Sequence, residues 1–150
     1  MPERGSDIEV LEFAIAREVE AHRFFLALAE RVEGSEMRRV FEELAVEELE
    51  HKEKLELEMM KAGSVVGVIQ SDVEIHEHVI SEDGSLLDMD YKDMLLLAME
   101  KEEAAFRTYV GLIQNVHEPS ARETLLALAE EEVKHKLCFE VEYDLLLKQS

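Results

Sequence analysis

Cysteine is nearly absent, with Cys138 the only one in 150 residues. No disulfide within the chain and no four-cysteine zinc or iron site can form. That scarcity fits a reducing, cytoplasmic setting. Proline (2) and glycine (6) are also scarce, and there is no tryptophan. With 47% hydrophobic and 35% charged residues, the composition is neither disordered nor low-complexity. Cationic residues are few: 16 Lys and Arg stand against 36 Asp and Glu, a formal net charge of −20. Nucleic acids and anionic membranes need basic surfaces, so the balance argues against both and favours cations as ligands. No apolar stretch approaches the ~20 residues of a membrane span. Met1 to Val10 has no apolar signal-peptide core. The expectation is a single domain over residues 1–150, able to bury a core without cross-links.

Four long segments carry helical periodicity and helix-forming residues. The first runs from about Asp7 to Val32, with Ser6 or Asp7 as N-cap and Gly34 past its end. The second runs from about Ser35, a capping residue, to Ala62, with Gly63 to stop it. The third runs from about Tyr91 to Val116, with Asp88 or Asp90 as cap. The fourth runs from about Pro119 to Leu147, with Pro119 in the first turn, where its missing N–H costs nothing. Long helices joined by short turns predict two antiparallel hairpins, at about 7–62 and 90–147. Between them lies a stretch of 27 residues, 63–89, with the β-branched run Val65–Val66–Gly67–Val68–Ile69. A crossover carrying the chain back along the bundle, with a short helix at Ser71 to Ile80, explains that length.

The chain repeats itself at an offset of 84 residues. Ala14, Glu18 and Ala21 match Ala98, Glu102 and Ala105, and Phe25 falls on Tyr109. Arg38, Leu44, Ala45, Glu47, Glu48, His51 and Lys52 match Arg122, Leu128, Ala129, Glu131, Glu132, His135 and Lys136. Two similar hairpins packed face to face would place such residues opposite each other across a pseudo-twofold axis.

Most of the acids suit solvated helix faces. Four do not. Glu18 sits among Ala14, Ile15, Ala21 and Phe25, and Glu102 among Ala98, Met99, Ala105, Phe106 and Tyr109. Glu48 sits among Phe41, Leu44, Ala45 and Leu55, and Glu132 among Leu125, Leu128, Ala129 and Phe139. Helical spacing puts each acid in the middle of an apolar stripe. Lone buried carboxylates are very costly, and four together also repel. His51 and His135, each three residues after a Glu, supply neutral nitrogen donors. Four glutamates carry −4 and two divalent metals +4, so the assembly would be neutral. One Glu from each of two helices and a Glu-x-x-His from each of the other two is the pattern of a carboxylate-bridged metal pair. The alternatives are Glu-rich surface helices with histidines lining a polar interior, and a scaffold that stays metal-free.

These motifs, Glu18-x-x-Ala21-x-x-x-Phe25, Glu48-x-x-His51, Glu102-x-x-Ala105-x-x-x-Tyr109 and Glu132-x-x-His135, resemble the ferritin-like superfamily and, within it, the rubrerythrin-like proteins. The resemblance covers nearly the whole chain. It implies an all-α, ferritin-like four-helix bundle with a long crossover between helices 2 and 3. It implies two iron ions: Glu18 and His51 terminal on one, Glu102 and His135 terminal on the other, Glu48 and Glu132 bridging. Three departures stand out. The four-cysteine rubredoxin domain of the rubrerythrins proper has no counterpart in a chain with one cysteine, so electrons would come from outside. Their extra Glu one turn after the third-helix ligand is replaced by Ala105. The aromatic after the first ligand is Phe25 rather than the common Tyr, leaving Tyr109 to bond a carboxylate or pass an electron.

Other residues have plainer readings. Cys138 is expected to be a small buried thiol, His76 and His78 solvated loop residues, and His22 a boundary residue. Glu20, Glu47, Glu50, Glu103 and Glu131 read as solvated faces or as an approach path for cations. Met59, Met60, Met89, Met94 and Met99 read as core filling. Leu11, Leu26, Val40, Leu57, Leu145 and Leu147 lie off the ligand stripe, which suggests a homodimer. The expected function is a di-iron oxidoreductase reducing hydrogen peroxide or dioxygen, with Glu48, Glu132 and Tyr109 in the reacting centre and a separate rubredoxin-type donor. A ferroxidase feeding an iron store, a manganese catalase-like enzyme and a metal-free scaffold are the alternatives.

Overall fold

The computed structural model describes residues 2–63 and 90–149, with side chains from residue 7 onward. Its elements are α1 (Pro2–Arg31), α2 (Ser35–Lys61), α3 (Tyr91–Ile113) and α4 (Pro119–Gln149). α1 packs along α2 and α3 along α4, forming two hairpins. These meet where α1 faces α3 and α2 faces α4. The four-helix arrangement expected from periodicity is present. The expected crossover, its short helix, His76, His78 and Met89 lie outside the described residues.

The helix ends follow from local chemistry, with corrections. Asp90 caps α3 by accepting from the Asp93 backbone N–H at 2.9 Å, as expected. Gly63 takes φ +88°, a left-handed value suited to glycine, just after α2 ends. Ser35 is not a cap; it is the first helical residue, and Gly34 holds the N-cap position with no side-chain bond. Asp7 is not a cap of α1 either, because α1 begins earlier, at Pro2. Its buried carboxylate instead accepts from the backbone N–H groups of His117 (2.9 Å) and Glu118 (3.0 Å), just ahead of α4. Those donors have no partner within the helix, so a residue 110 positions away supplies one. Burial opposes the Asp7 charge, but the two backbone bonds, together with the His117 ring 3.1 Å from Oδ1, outweigh it and hold the carboxyl below its ordinary range.

The core is two apolar plugs. One gathers Phe24, Phe25, Leu28, Phe41, Leu95 and Phe139, with Phe25 stacked on Phe41 and Phe139 at 6.3 and 6.0 Å. The other gathers Leu11, Ile15, Leu55, Tyr109, Leu125 and Leu128. Glu18, Glu48, Glu102 and Glu132 lie between the plugs along all four helices. Large apolar side chains above and below keep water out of that layer and raise the cost of any charge in it.

Several single-residue expectations are corrected here. Cys138 is exposed, not buried. Met60 is 59% exposed near the end of α2, whereas Met59 and Met94 do fill the core. Leu11 belongs to the core, while Leu26, Val40, Leu57, Leu145 and Leu147 are exposed. His22 lies at a boundary, its Nδ1 2.8 Å from the Ala45 carbonyl, tying α1 to α2.

Candidate metal centre

Each of the six side chains picked out by spacing projects into the bundle from mid-helix. Glu18 (α1), Glu48 and His51 (α2), Glu102 (α3), and Glu132 and His135 (α4) are all buried. The structure brings them together. His51 Nδ1 lies 3.1 Å from Glu48 Oε1, 3.5 Å from Glu18 Oε1 and 3.7 Å from Glu132 Oε2. His135 Nδ1 lies 2.9 Å from Glu102 Oε2 and 3.3 Å from Glu132 Oε1. The donor atoms form two overlapping groups: Glu18, Glu48, His51 and Glu132, and Glu48, Glu102, Glu132 and His135. Within each group the atoms lie within 4.8 Å of one another, and Glu48 and Glu132 belong to both.

The electrostatics are under tension. Burial, then the charge on Glu48, raises the Glu18 carboxyl well above its ordinary range. Burial, then the charge on Glu132, does the same to Glu102 and raises Glu48. Burial also opposes ionisation of Glu132, but its contacts with His135 and His51 prevail and hold it at about 2. Burial disfavours charged histidine rings, yet the surrounding carboxylates push His51 up to about 12 and His135 up to about 11. Protons thus balance the acids here.

That balance is incomplete. Glu18 Oε1, both oxygens of Glu48, Glu132 Oε1 and His51 Nδ1 are buried without a hydrogen-bond partner. Each such orphan costs on the order of 1–3 kcal/mol. The four oxygens are hard Lewis bases, His51 Nδ1 becomes a borderline one once its proton leaves, and all five converge on shared space. Two divalent cations would satisfy the orphans and cancel the charge, so the donor set fits a metal pair.

Three further contacts complete the site. The Tyr109 hydroxyl donates to Glu18 Oε2. Its repeat mate, Phe25, cannot donate and is absorbed by the phenylalanine plug. His135 donates through Nε2 to Glu47 Oε1 at 2.6 Å, fixing the ring with Nδ1 turned inward. Glu47 and Glu131 also face a groove of about 510 Å³ that reaches His51 between α2 and α4. Glu47 is therefore more than a solvated face. Glu-Glu precedes each x-x-His, and the first Glu of each pair lies about 100° around the helix from the second, at the edge of the apolar stripe, where spacing alone does not show which helix it meets. Glu20 also departs from the solvated reading. It is buried and pairs with Arg17 (3.3 Å) and Lys101 (3.4 Å).

The comparisons agree with this architecture. Residues 9–143 match the family model described as Rubrerythrin. A hypothetical protein from Pyrococcus furiosus superposes with a TM-score of 0.69 at 25% identity, covering 95% of this chain and 91% of its own. KatB, a manganese catalase from Anabaena, superposes with a TM-score of 0.69 at 20% identity, covering 93% of this chain and 73% of its own. That second likeness shows a shared ferritin-like fold. No curated protein matches the chain. No helix among the described residues is long and apolar enough to cross a membrane. With the match spanning nearly all of α1 to α4 and the buried Glu and His layer at its centre, this chain belongs to the rubrerythrin family.

Proposed function

We propose that the six buried side chains hold two iron ions and that the protein reduces hydrogen peroxide or dioxygen with electrons from a separate, rubredoxin-type donor. The observation that carries this reading is the overlap of the two donor groups through Glu48 and Glu132. Two shared carboxylates between two histidine-bearing groups are what a bridged pair requires. Glu18 and His51 would complete one position, Glu102 and His135 the other. A bound iron pair supplies two electrons and open coordination positions for an oxidant.

The protein's own groups have distinct parts. Tyr109 holds Glu18 by its hydroxyl and leaves Glu18 Oε1 available. Glu47 holds His135 from outside. The two apolar plugs exclude bulk water and strengthen every electrostatic contact in the layer.

Manganese is the second reading, because the same ligand types suit it and the likeness to a manganese catalase supports it. Elemental analysis of protein purified without chelators, beside the variant Glu48→Ala/Glu132→Ala, is the test. Two irons in the parent and none in the variant support the reading. Two manganese ions move it to peroxide disproportionation. No metal after reconstitution with iron(II) overturns it.

A further inference from the structure

Glu47 and Glu131 are repeat mates, each one residue before a carboxylate shared by both donor groups. They stand on α2 and α4 at the rim of the buried layer, partly exposed. Together with His135 they offer three donor atoms within 4.8 Å of one another. This third group lies outside the two that overlap through Glu48 and Glu132. His135 joins it by its other nitrogen. Nδ1 faces Glu102 and Glu132 inside, and Nε2 lies 2.6 Å from Glu47 Oε1 outside. One ring, its side chain only 8% exposed, therefore touches both positions.

The groove of about 510 Å³ opens onto Glu47 and Glu131 from solvent. Four glutamates and a single cation, Lys54, line it, so its field draws cations in. His51 lines it as well, with a side chain 4% exposed and an Nδ1 that has no hydrogen-bond partner. A cation following the groove thus meets the two outer carboxylates first and unpartnered buried donors next. Little holds Glu131 against it: its ion pair with Lys134, at 3.7 Å, is open to solvent, and water competes for both ends. The Nε2 proton marks a ligand position, since a metal that binds there displaces it. Two carboxylates and an imidazole, with the remaining positions left to water, suit a first-row transition ion, whereas magnesium and calcium take oxygen ligands.

We propose that Glu47, Glu131 and His135 Nε2 form an outer site at which a divalent first-row transition ion is held before it enters the pair. The inference rests on the dimetal reading above and supplies its way in. It divides the work of the repeated Glu-Glu: the first acid of each captures, and the second stays as a shared ligand. The outer ion is transient, because a filled pair commits His135 through Nδ1 and returns Nε2 to Glu47.

Cobalt(II) is the probe, mixed rapidly with metal-free protein and followed by its visible absorption. The rate of filling should level off as cobalt increases, the mark of an ion bound before the observed step. Glu131→Gln should slow filling and release alike, by about tenfold or more, while two ions still bind with affinity close to the parent's. A site on the path changes both rates together and leaves the equilibrium in place. Glu50→Gln removes a charge from the same groove but no donor, and should fill at close to the parent's rate. Three results would each overturn the outer site and leave the dimetal reading standing: a parent rate that stays linear in cobalt, parent-like filling by Glu131→Gln, or equal slowing by both variants. Slower filling by Glu131→Gln with weaker binding would overturn it too, by making Glu131 a ligand of the pair itself. A parent that binds no cobalt pair overturns both readings.

Discussion

The rings of His51 and His135 lie 6.1 Å apart, centre to centre, and only 7° from parallel. They are repeat mates, and their stacking marks the pseudo-twofold axis of the layer. Two imidazolium rings so placed would repel if four carboxylates did not surround them. Metal binding must therefore expel protons, since a ligating nitrogen cannot keep its own. Iron(II) or manganese(II) titrated calorimetrically in buffers of different ionisation enthalpy should show net proton release. Affinity should rise with pH from 5.5 to 8. Absence of any buffer dependence would contradict the charge state described here.

The stability of the metal-free protein has the opposite slope. Both histidines are raised, so their contribution is complete below about 6.5 and fades as pH climbs toward 11–12. The raised carboxyls of Glu18, Glu48 and Glu102 act in the same direction, favouring acid. Glu132 is held low, so its contribution is complete above about 4.5 and fades toward 2. The metal-free protein should be most stable between about pH 4.5 and 6.5 and melt lower at pH 8. Metal at 100 times its Kd adds about 2.7 kcal/mol, a rise on the order of 5–10 °C for a chain of this size. Melting curves with and without chelator at pH 5.5 and 8 check both slopes.

Glu47→Gln tests the outer support of the site. It removes the charged acceptor from His135 Nε2, so His135 should titrate lower and metal affinity should fall about 10–100-fold. Glu131→Gln is the internal control. Glu131 is the repeat mate, yet its ion pair is with Lys134 at 3.7 Å, and its loss should cost far less. Equal effects from the two variants would mean that groove charge, not the histidine contact, governs binding.

Asp7→Ala probes the long-range cap of α4. Loss of the two acceptors should destabilise the fold by about 0.5–2 kcal/mol, read by urea unfolding. Because the Asp7 carboxyl is lowered, its contribution is present above about 3.8 and vanishes as pH falls. The gap between parent and variant should therefore close in acid. A gap unchanged at pH 3 would mean that packing, rather than charge, is what Asp7 provides.

Asp7 also shows where reading the sequence stops. Periodicity located the four helices, because an apolar stripe of period 3.6 is a local property. It located Glu18, Glu48, Glu102 and Glu132 as well, since a charge at the centre of such a stripe is conspicuous in any register. It could not show that Asp7 crosses to α4, because a good capping residue near a helix start has a local explanation that is simply not used. Glu47 and Glu20 were hidden for a related reason. Each lies at the edge of a stripe, where pairing depends on which helix comes alongside, a matter of tertiary geometry. Cys138 shares His135's side of α4 by spacing, but the bundle leaves that edge open to solvent.

Glu48→Gln separates function from stability. Glu48 is fully buried, neither of its oxygens has a hydrogen-bond partner, and it faces the charge of Glu132. The amide keeps the shape and removes the repulsion. The metal-free variant should be more stable than the metal-free parent, by about 0.5–2 kcal/mol. The same change takes one shared carboxylate from both donor groups, so metal should no longer raise the melting temperature by the full amount. The ordering should therefore invert: variant above parent with chelator, parent above variant with metal. That inversion distinguishes a carboxylate retained for binding from one retained for the fold. If the variant instead melts lower under both conditions, Glu48 serves the packing of the bundle and the shared-ligand reading loses its main support.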